Sequence, residues 1–299
     1  DGIRDIGVTG VQTCALPILS ADRRPGTRRP GSPRPVAGHV ARKRFGQHFL
    51  ADRAVLAAIV AAIRPQAGDG ILEIGPGLGV LTAELLGRVP RIAAVEIDRD
   101  LCARLRGRFG PDRLELFEAD ALGFDSAQAL RALGAERLRV VGNLPYNISS
   151  PLMVALVAAR HHIRDQHFLL QKEVVERIVA EPGSTSFGRL SVILQAFYEV
   201  ELLFEVPPEA FDPPPRVDSA VLRMIVRGTP LIDDLGALQA VLAPAFAQRR
   251  KMIRSTLLPW LNQRGVPTDG LDGEWRAEDI SVARYCELAR QLRSISSIL

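Results

Sequence analysis

The sequence predicts an α/β fold in which helices cover both faces of a mostly parallel sheet, followed by a small helical domain. Apolar stretches of strand length alternate with helical patterns between residues 70 and 171, which is the order that builds parallel βαβ units. A glycine-rich turn follows the first apolar stretch at residues 75–79. From about Leu235 the pattern is helical to the end, apart from a loop at Pro259–Asp272.

The elements are predicted in the following order. Asp52–Ile63 forms a first helix, with Asp52 as its N-cap and Pro65 beyond its end. Five strands follow, at Gly70–Ile74, Ile92–Ile97, Leu114–Glu118, Leu138–Val141 and His167–Gln171. The helices between them lie at Leu81–Leu86, Asp100–Arg108, Ser126–Leu133 and Ser150–Ala159. Two later strands, Glu199–Val206 and Val217–Val226, flank a proline-rich loop and are expected to form an antiparallel pair at one edge.

The first 37 residues are predicted to be a disordered leader that is foreign to the natural protein. Val8–Ile18 resembles the translation of a sequencing-library adapter, and residues 19–37 are rich in Arg, Pro, Gly and Ser without apolar periodicity. The alternative is an organelle transit peptide, because the stretch is Arg-rich and acid-poor, but it lacks an amphipathic pattern. The folded part is predicted to comprise one domain at 38–230 and a helical domain at 231–299.

Charge and composition restrict the class of protein. Residues 1–37 hold six Arg and three Asp, which leaves 32 basic and 31 acidic residues in 38–299, so any nucleic-acid contact must come from local basic clusters. Cys14, Cys102 and Cys286 are too widely spaced for a disulfide framework or a metal site, which favours a reducing compartment and no metal. No apolar run approaches the ~20 residues that span a bilayer, so we expect a cytoplasmic protein without membrane contact.

The glycine-rich turn predicts a nucleotide-type site. Gly75 and Gly77 follow an apolar strand that contains Glu73, and Glu96 ends the next strand, where a carboxylate can accept hydrogen bonds from both ribose hydroxyls of an adenosine. Dinucleotide-binding proteins use G-x-G-x-x-G to hold a pyrophosphate. The spacing here is G-x-G-x-G, which favours S-adenosylmethionine, a cofactor without phosphate. A purely structural strand-to-helix turn is the remaining alternative.

Asp120 and Ala121 follow the third strand. The Asp120 carboxylate is placed to accept a hydrogen bond from the adenine amino group of the cofactor, so that three successive strand ends converge on one crevice. A turn or helix-cap role for Asp120 explains the residue equally well when it is considered alone.

The fourth strand ends in Asn143-Leu144-Pro145-Tyr146, which is the most specific feature of the chain. The exocyclic amine of adenine is a weak nucleophile because its lone pair is delocalised into the ring, and two hydrogen-bond acceptors favour the pyramidal form that reacts. The Asn143 carboxamide oxygen is one predicted acceptor, and the peptide oxygen of Leu144 or Pro145 is the other. Tyr146 is expected to stack on the flipped base, a contact that is worth about 1–3 kcal/mol. An ordinary turn is the competing interpretation.

Several segments together resemble the bacterial 16S ribosomal RNA (adenine-N6,N6)-dimethyltransferase (KsgA/RsmA) family, over about Gly38 to Arg293. They are RKRFGQHFL, LEIGPGLG, VEIDRD, GNLPYNIS, LQKEVVERI, GRLSVILQ, PPPRVDSAV and QRRKMIRSTL. The resemblance implies a Rossmann-like S-adenosylmethionine methyltransferase that dimethylates two adjacent adenosines in a hairpin near the 3′ end of 16S ribosomal RNA. It implies action on immature 30S subunits, and we expect a monomer.

The resemblance also assigns residues. It places His48, Leu50, Gly75, Glu96, Asp120 and Asn143 in the cofactor site, and residues 143–146 around the target adenine. One position departs from the commoner family form FGQNF, because His48 stands where that form has Asn. His48 keeps hydrogen-bonding capacity, so the site is expected to survive, and a packed loop residue is the alternative.

Two basic clusters are candidate RNA contacts. They are Arg42-Lys43-Arg44 and Arg249-Arg250-Lys251 with Arg254. Arg250 and Arg254 are expected to share one face of a helix and to contact phosphates in a salt-sensitive manner. A solvated helix face is the alternative for the second cluster.

Three rival functions remain at this point. A related amine methyltransferase acting on DNA adenine or 23S ribosomal RNA shares the loop chemistry. A ribosome-assembly factor in which binding is the main role is a second rival, and a nicotinamide oxidoreductase is a third.

Overall fold

The structure is a computed structural model that describes residues 35–36, 39–40, 48–145 and 148–296. Residues 1–34 of the predicted leader lie outside the described residues. Within the stretch predicted to be disordered, Pro35–Val36 (β1) forms a short antiparallel ladder with His39–Val40 (β2). The described residues from 35 onward belong to one compact unit.

Nine further strands follow in chain order. They are β3 (Phe49–Leu50), β4 (Gly70–Ile74), β5 (Ile92–Glu96), β6 (Leu114–Glu118), β7 (Leu138–Asn143), β8 (Ile163–Gln171), β9 (Tyr198–Val206), β10 (Phe211–Asp212) and β11 (Ser219–Val226). Seven of them form one sheet in the order β6-β5-β4-β7-β8-β11-β9. The first five are parallel, and β11 pairs antiparallel with both β8 and β9. The predicted α/β class and the antiparallel pair at one edge are confirmed.

The helices are α1 (Arg53–Ile63), α2 (Val80–Leu86), α3 (Arg99–Arg108), α4 (Ser126–Leu133), α5 (Ser149–Ala158), α6 (Lys172–Val179), α7 (Arg189–Phe197), α8 (Leu235–Phe246), α9 (Leu257–Asn262) and α10 (Val282–Ser296). Four of them begin at an aspartate whose carboxylate accepts main-chain N–H groups of the first turn, namely Asp52, Asp98, Asp125 and Asp234. Such caps satisfy donors that have no partner within the helix.

The sheet separates two apolar layers because successive side chains of a strand point to opposite faces. Ile71 of β4 packs with α1 and α2 on one face, and Leu72 packs with α4 and α5 on the other. The second layer continues without a break into Leu238 and Val241 of α8 and into α10. The boundary near residue 230 therefore stays a prediction, and the core crosses it.

The C-terminal region differs from the expectation at α9, whose last four residues extend into the stretch predicted to be a loop at Pro259–Asp272. None of the helices that the structure describes is long and apolar enough to cross a membrane.

Candidate functional site

The carboxyl ends of four parallel strands, β4 to β7, open onto one cavity of about 340 Å³. Parallel strands bring their ends to the same edge of a sheet, which is why residues far apart in sequence meet here. All the predicted cofactor residues line this cavity, namely His48, Leu50, Glu73, Gly75, Gly77, Glu96, Asp120, Ala121 and Asn143. Leu144 and Pro145 of the predicted catalytic loop line it as well, and Tyr146 lies outside the described residues.

The glycine-rich turn forms the floor of the cavity. Gly75 and Gly77 have φ values of +65° and +58°, in the left-handed region that glycine adopts without strain. A Cβ atom on Gly77 would lie 3.2 Å from Cε1 of Phe49, so the Phe49 ring closely covers the turn. Gly77 therefore makes room for the Phe49 ring, whereas the Cβ position of Gly75 has no neighbour nearer than 4.0 Å and is open toward the cavity.

Glu96 is buried and is held by three main-chain donors. Its Oε1 accepts from the N–H groups of Ile97 and Asp98, both at 2.9 Å, and its Oε2 accepts from Gly77 N–H at 3.2 Å. Burial raises the pKa of Glu96, and the three N–H donors offset part of that rise. A carboxylate offers about four acceptor positions, so the three N–H groups leave Glu96 about one position, on Oε2, for a ribose hydroxyl of the predicted cofactor.

Glu73 lies deeper and has a single side-chain hydrogen bond, from Thr82 Oγ1 to its Oε2 at 2.6 Å. Burial, reinforced by the nearby charge of Glu96, raises the pKa of Glu73 to about 7. No cation contacts either carboxylate among the residues that the structure describes. Two buried carboxylates without a cationic partner match the positive charges of S-adenosylmethionine, whose sulfonium and amino groups need such neighbours.

The turn role weighed for Asp120 is observed, and its contact with the cofactor adenine stays a prediction. Its Oδ1 accepts from Leu122 N–H at 3.0 Å, which is a turn contact, and the exposed side chain also borders the cavity. Ile97 is a lining residue that the sequence reasoning missed as a site residue, and it is 48% exposed. The sequence signal that could have identified Ile97 is its position directly after Glu96, the acidic residue that ends β5.

Asn143 ends β7 at the mouth of the cavity. Its Nδ2 donates to the peptide oxygen of His48 at 2.9 Å. A peptide oxygen only accepts hydrogen bonds, so the amide nitrogen must face His48, and Oδ1 remains an acceptor for another group. The carboxamide is thus oriented by the protein before any substrate binds.

The strands that carry the two halves of the site pass very close to each other. A Cβ atom on Gly142 of β7 would lie 2.4 Å from the peptide oxygen of Ile74 in β4, a separation that real Cβ atoms do not adopt. Gly142 therefore lets the strand that carries Asn143 lie directly against the strand that leads into the glycine turn.

The basic residues lie apart from this cavity. Arg42, Lys43 and Arg44 lie outside the described residues. Arg249 forms an ion pair with Glu278 at 3.1 Å, and Arg254 pairs with Glu274. Arg250 and Lys251 are exposed, and neither side chain has a hydrogen bond or ion pair within the described part of the chain.

The expectation that Arg250 and Arg254 share a helix face is wrong. Helix α8 ends at Phe246, and Arg250 lies in the turn that follows. The N–H of Arg254 donates to the peptide oxygen of Gly273 at 3.2 Å, and its neighbour Ile253 donates to Trp275 at 2.7 Å. These bonds to a distant segment draw the backbone out of a continuous helix.

Comparison with known proteins agrees with this geometry. The family model described as ribosomal RNA adenine dimethylase matches residues 38–294. A ribosomal RNA small subunit methyltransferase A from Bordetella petrii is 56% identical, covering 88% of this chain and 99% of that protein. A protein of the same name from Cupriavidus taiwanensis is 53% identical, covering 85% of this chain and 94% of that protein.

Solved structures show the same fold. A dimethyladenosine transferase from Plasmodium falciparum superimposes with a TM-score of 0.71 at 24% identity, covering 83% of this chain and 98% of that one. The 23S ribosomal RNA methyltransferase ErmE gives a TM-score of 0.61 at 25% identity, covering 82% and 99%.

These findings confirm the predicted Rossmann-like fold, the S-adenosylmethionine cofactor and the methyltransferase activity on adenine in ribosomal RNA. They exclude the nicotinamide oxidoreductase, the third rival function. With its glycine turn, its acidic strand ends and its oriented Asn143, the chain belongs to the ribosomal RNA adenine dimethylase family.

Proposed function

We propose that the chain dimethylates N6 of two adjacent adenosines in a hairpin near the 3′ end of 16S ribosomal RNA, within immature 30S subunits. The printed names of relatives that are more than 50% identical over nearly their whole length specify the small subunit. The 23S-specific structure is only 25% identical, which favours the small-subunit substrate over the large-subunit one.

The proposal includes a monomeric enzyme that works in the cytoplasm. Work on newly transcribed bacterial ribosomal RNA requires the compartment where subunits assemble.

The observation that carries the mechanism is the fixed Asn143 carboxamide. With Nδ2 committed to His48, Oδ1 accepts one N–H of the target amine, and the peptide oxygen of Leu144 or Pro145 accepts the other. These two bonds favour the pyramidal nitrogen and hold its lone pair in the direction of attack. Most of the rate enhancement then comes from positioning and electrostatics.

S-adenosylmethionine supplies the electrophilic methyl group when it is bound. Glu96 would hold its ribose through the acceptor position that the main-chain N–H groups leave open on Oε2, and Asp120 would accept from its adenine amino group. Glu73 would place a negative charge beneath its cationic portion. Tyr146 would stack on the target base.

The RNA-contacting role of the basic residues is also part of the proposal. Arg250 and Lys251 are the members of the second cluster best suited to phosphate contact, because their charges have no partner among the described residues. Arg249 and Arg254 already form intramolecular ion pairs, so they contribute less unless RNA displaces those partners. The role of Arg42, Lys43 and Arg44 stays a prediction.

The test combines substrate choice with an Asn143→Ala variant. Transfer of labelled methyl groups is measured on immature 30S particles, 50S particles and free DNA, and we expect label on the first alone. Asn143→Ala is expected to lower kcat on 30S particles by about 10²- to 10³-fold, in line with the loss of one fixed polar group. The matched control is Asn262→Ala, an exposed residue at the end of α9, which should keep wild-type kcat. Equal labelling of 50S particles, or an active Asn143→Ala enzyme, would contradict the proposal.

A further inference from the structure

A short antiparallel ladder covers the cavity. Strand β3 pairs with β10 so that Leu50 lies opposite Phe211 and Phe49 lies opposite Asp212. The side chains of Phe49 and Leu50 both line the cavity. The ladder therefore joins the cover of the cofactor site to the proline-rich loop that precedes β11.

The ladder consists of the pairs 50/211 and 49/212, and the peptide bond from Asp212 to Pro213 is cis. On the other side of the ladder, Ala51 N–H donates to the peptide oxygen of Ala210 at 2.8 Å. His48 and Pro213 are the residues that directly follow the ladder at its open end.

The imidazole of His48 closes this end of the ladder. Its Nδ1 lies 2.8 Å from the peptide oxygen of Pro213, 165 residues away in sequence. Because a peptide oxygen only accepts, Nδ1 must carry the proton, which specifies the tautomer of the neutral ring. The side chain thus connects position 48 to the proline-rich loop directly beyond the last pair of the ladder.

The peptide oxygen of the same residue holds the catalytic carboxamide. It points away from the ladder and accepts from Nδ2 of Asn143 at 2.9 Å. One residue therefore connects three separate segments at the cavity: the stretch before α1, the end of β7 and the proline-rich loop. A shift of the backbone at position 48 moves the partner that orients Asn143.

We propose that His48 is a positioning residue for methyl transfer, whose imidazole locks the ladder at Pro213 so that its peptide oxygen fixes the Asn143 carboxamide. The inference rests on the role proposed above for Asn143. The tether itself is a separate geometric claim, and the two are tested separately.

The tether is tested by nitrogen-15 NMR of the histidine rings in the full-length protein. The expected result is that the neutral His48 ring carries its proton on Nδ1, with the resonance assigned by its loss in His48→Asn. Detection of the Nε2–H tautomer for His48 would overturn the tether, whatever the role of Asn143.

The consequence for transfer is tested with three substitutions that differ in where they place a donor. Asn presents its amide nitrogen at about the position of imidazole Nδ1, Gln reaches further toward the position of Nε2, and Ala has no donor. His48→Ala and His48→Gln are each expected to lower kcat about 10- to 100-fold, the scale of a misplaced catalytic group, and His48→Asn is expected to stay within about threefold of wild type. The dissociation constant for S-adenosylmethionine is measured in parallel and should change less than kcat in every variant.

Matched controls separate positioning from general loss of structure. His162 donates or accepts one side-chain hydrogen bond, with Ser126 Oγ at 2.9 Å, and lies away from the cavity. His162→Ala and His162→Asn should both keep wild-type kcat. If Ala, Asn and Gln at position 48 give the same kcat, or if their effects appear only in cofactor affinity, the positioning role is wrong.

Discussion

Charged side chains are buried both where the parallel strands of the central sheet end, the carboxyl edge, and where they begin, the amino edge. Among the residues that the structure describes, they are paired with opposite charges only at the amino edge. At the carboxyl edge, Glu73 and Glu96 are buried without a cation in contact among the described residues, and their pKa values are raised. At the amino edge, Arg139 bonds to Asp69 at 2.9 Å and to Asp165 at 3.0 Å, and all three side chains are almost fully buried.

The amino edge is internally neutralised. Burial disfavours the charged form of Asp165, but the His167 ring at 3.4 Å and the hydrogen-bonded Arg139 outweigh it and lower the pKa of Asp165 to about 2. Arg139 also donates to the peptide oxygen of Arg64, at the end of α1, so the network ties a helix to the sheet. The difference teaches that paired buried charge holds this fold together, whereas unpaired buried charge marks the place where a charged ligand completes the site.

The largest expected effect comes from breaking the amino edge. Arg139→Met leaves the two buried carboxylates with the half-exposed Arg164 as their only arginine partner among the described residues, and it should lower the free energy of unfolding by about 3 kcal/mol, measured by urea denaturation at neutral pH. The control is Arg223→Met, which removes an exposed pair with Glu201 and should cost less than about 1 kcal/mol. If the two variants have equal urea midpoints, the buried charges of the amino edge do not stabilise the fold more than an exposed pair does.

The lowered pKa of Asp165 gives this stabilisation a pH dependence with a defined sign. The carboxylate is favoured in the folded state, so its contribution is fully present above the unfolded value of 3.8 and is lost as the pH falls toward 2.

The carboxyl edge should respond more strongly in binding than in stability. Glu96→Gln removes the charge that the ribose meets and should raise the dissociation constant for S-adenosylmethionine about 10- to 100-fold, as for hydrogen bonds to a charged group. Isothermal titration calorimetry measures the change. Urea denaturation should show a smaller loss of stability than Arg139→Met, because the Gln amide oxygen keeps the bonds from Ile97 and Asp98 N–H while its amide nitrogen faces Gly77 N–H. Glu118→Gln is the matched control, because Glu118 ends the neighbouring strand but pairs with Arg99 and Arg106 outside the cavity. If the Glu96→Gln protein is unfolded, Glu96 stabilises the fold, as Arg139 and its partners do, and is not reserved for ligand binding.

The smallest expected effect is a pH dependence of cofactor binding through Glu73. Its pKa is about 7 in the free protein, and a cationic ligand favours the ionised form, so binding releases a proton and affinity rises with pH. The dissociation constant should fall roughly tenfold from pH 6 to pH 8 and level off above that. Glu73→Gln should give a flat profile, and a wild-type profile that is equally flat would show that Glu73 does not sense the cofactor charge.

The residues that meet at the carboxyl edge could be predicted from the sequence because their signals are local. Gly75, Gly77 and Glu96 each sit at the end of an apolar strand, and parallel strand ends must meet at one edge. The amino-edge network gave no such signal, since Arg139 and its partner Asp165 lie in different strands, 26 residues apart. The sequence places charged residues in these apolar strands without indicating that they pair.

Contacts between distant segments account for the other differences. The bond from Asn143 to His48 joins residues 95 positions apart, so the loop was predicted but its orientation was not. Arg250 and Arg254 follow a helical spacing, yet hydrogen bonds to residues 273–275 take the chain out of the helix. Periodicity reports burial along one segment and carries no information about such partners.

Because Gly142 has no side chain, it sets the distance between β7 and β4 at the site. Only a hydrogen atom fits between this residue and the peptide oxygen of Ile74. The main chain of β7, which leads to Asn143, therefore contacts the main chain of β4, which leads to the glycine turn. The span between methyl donor and acceptor loop is therefore set by backbone thickness, and the apolar side chains around it are free to diverge among relatives without altering that span.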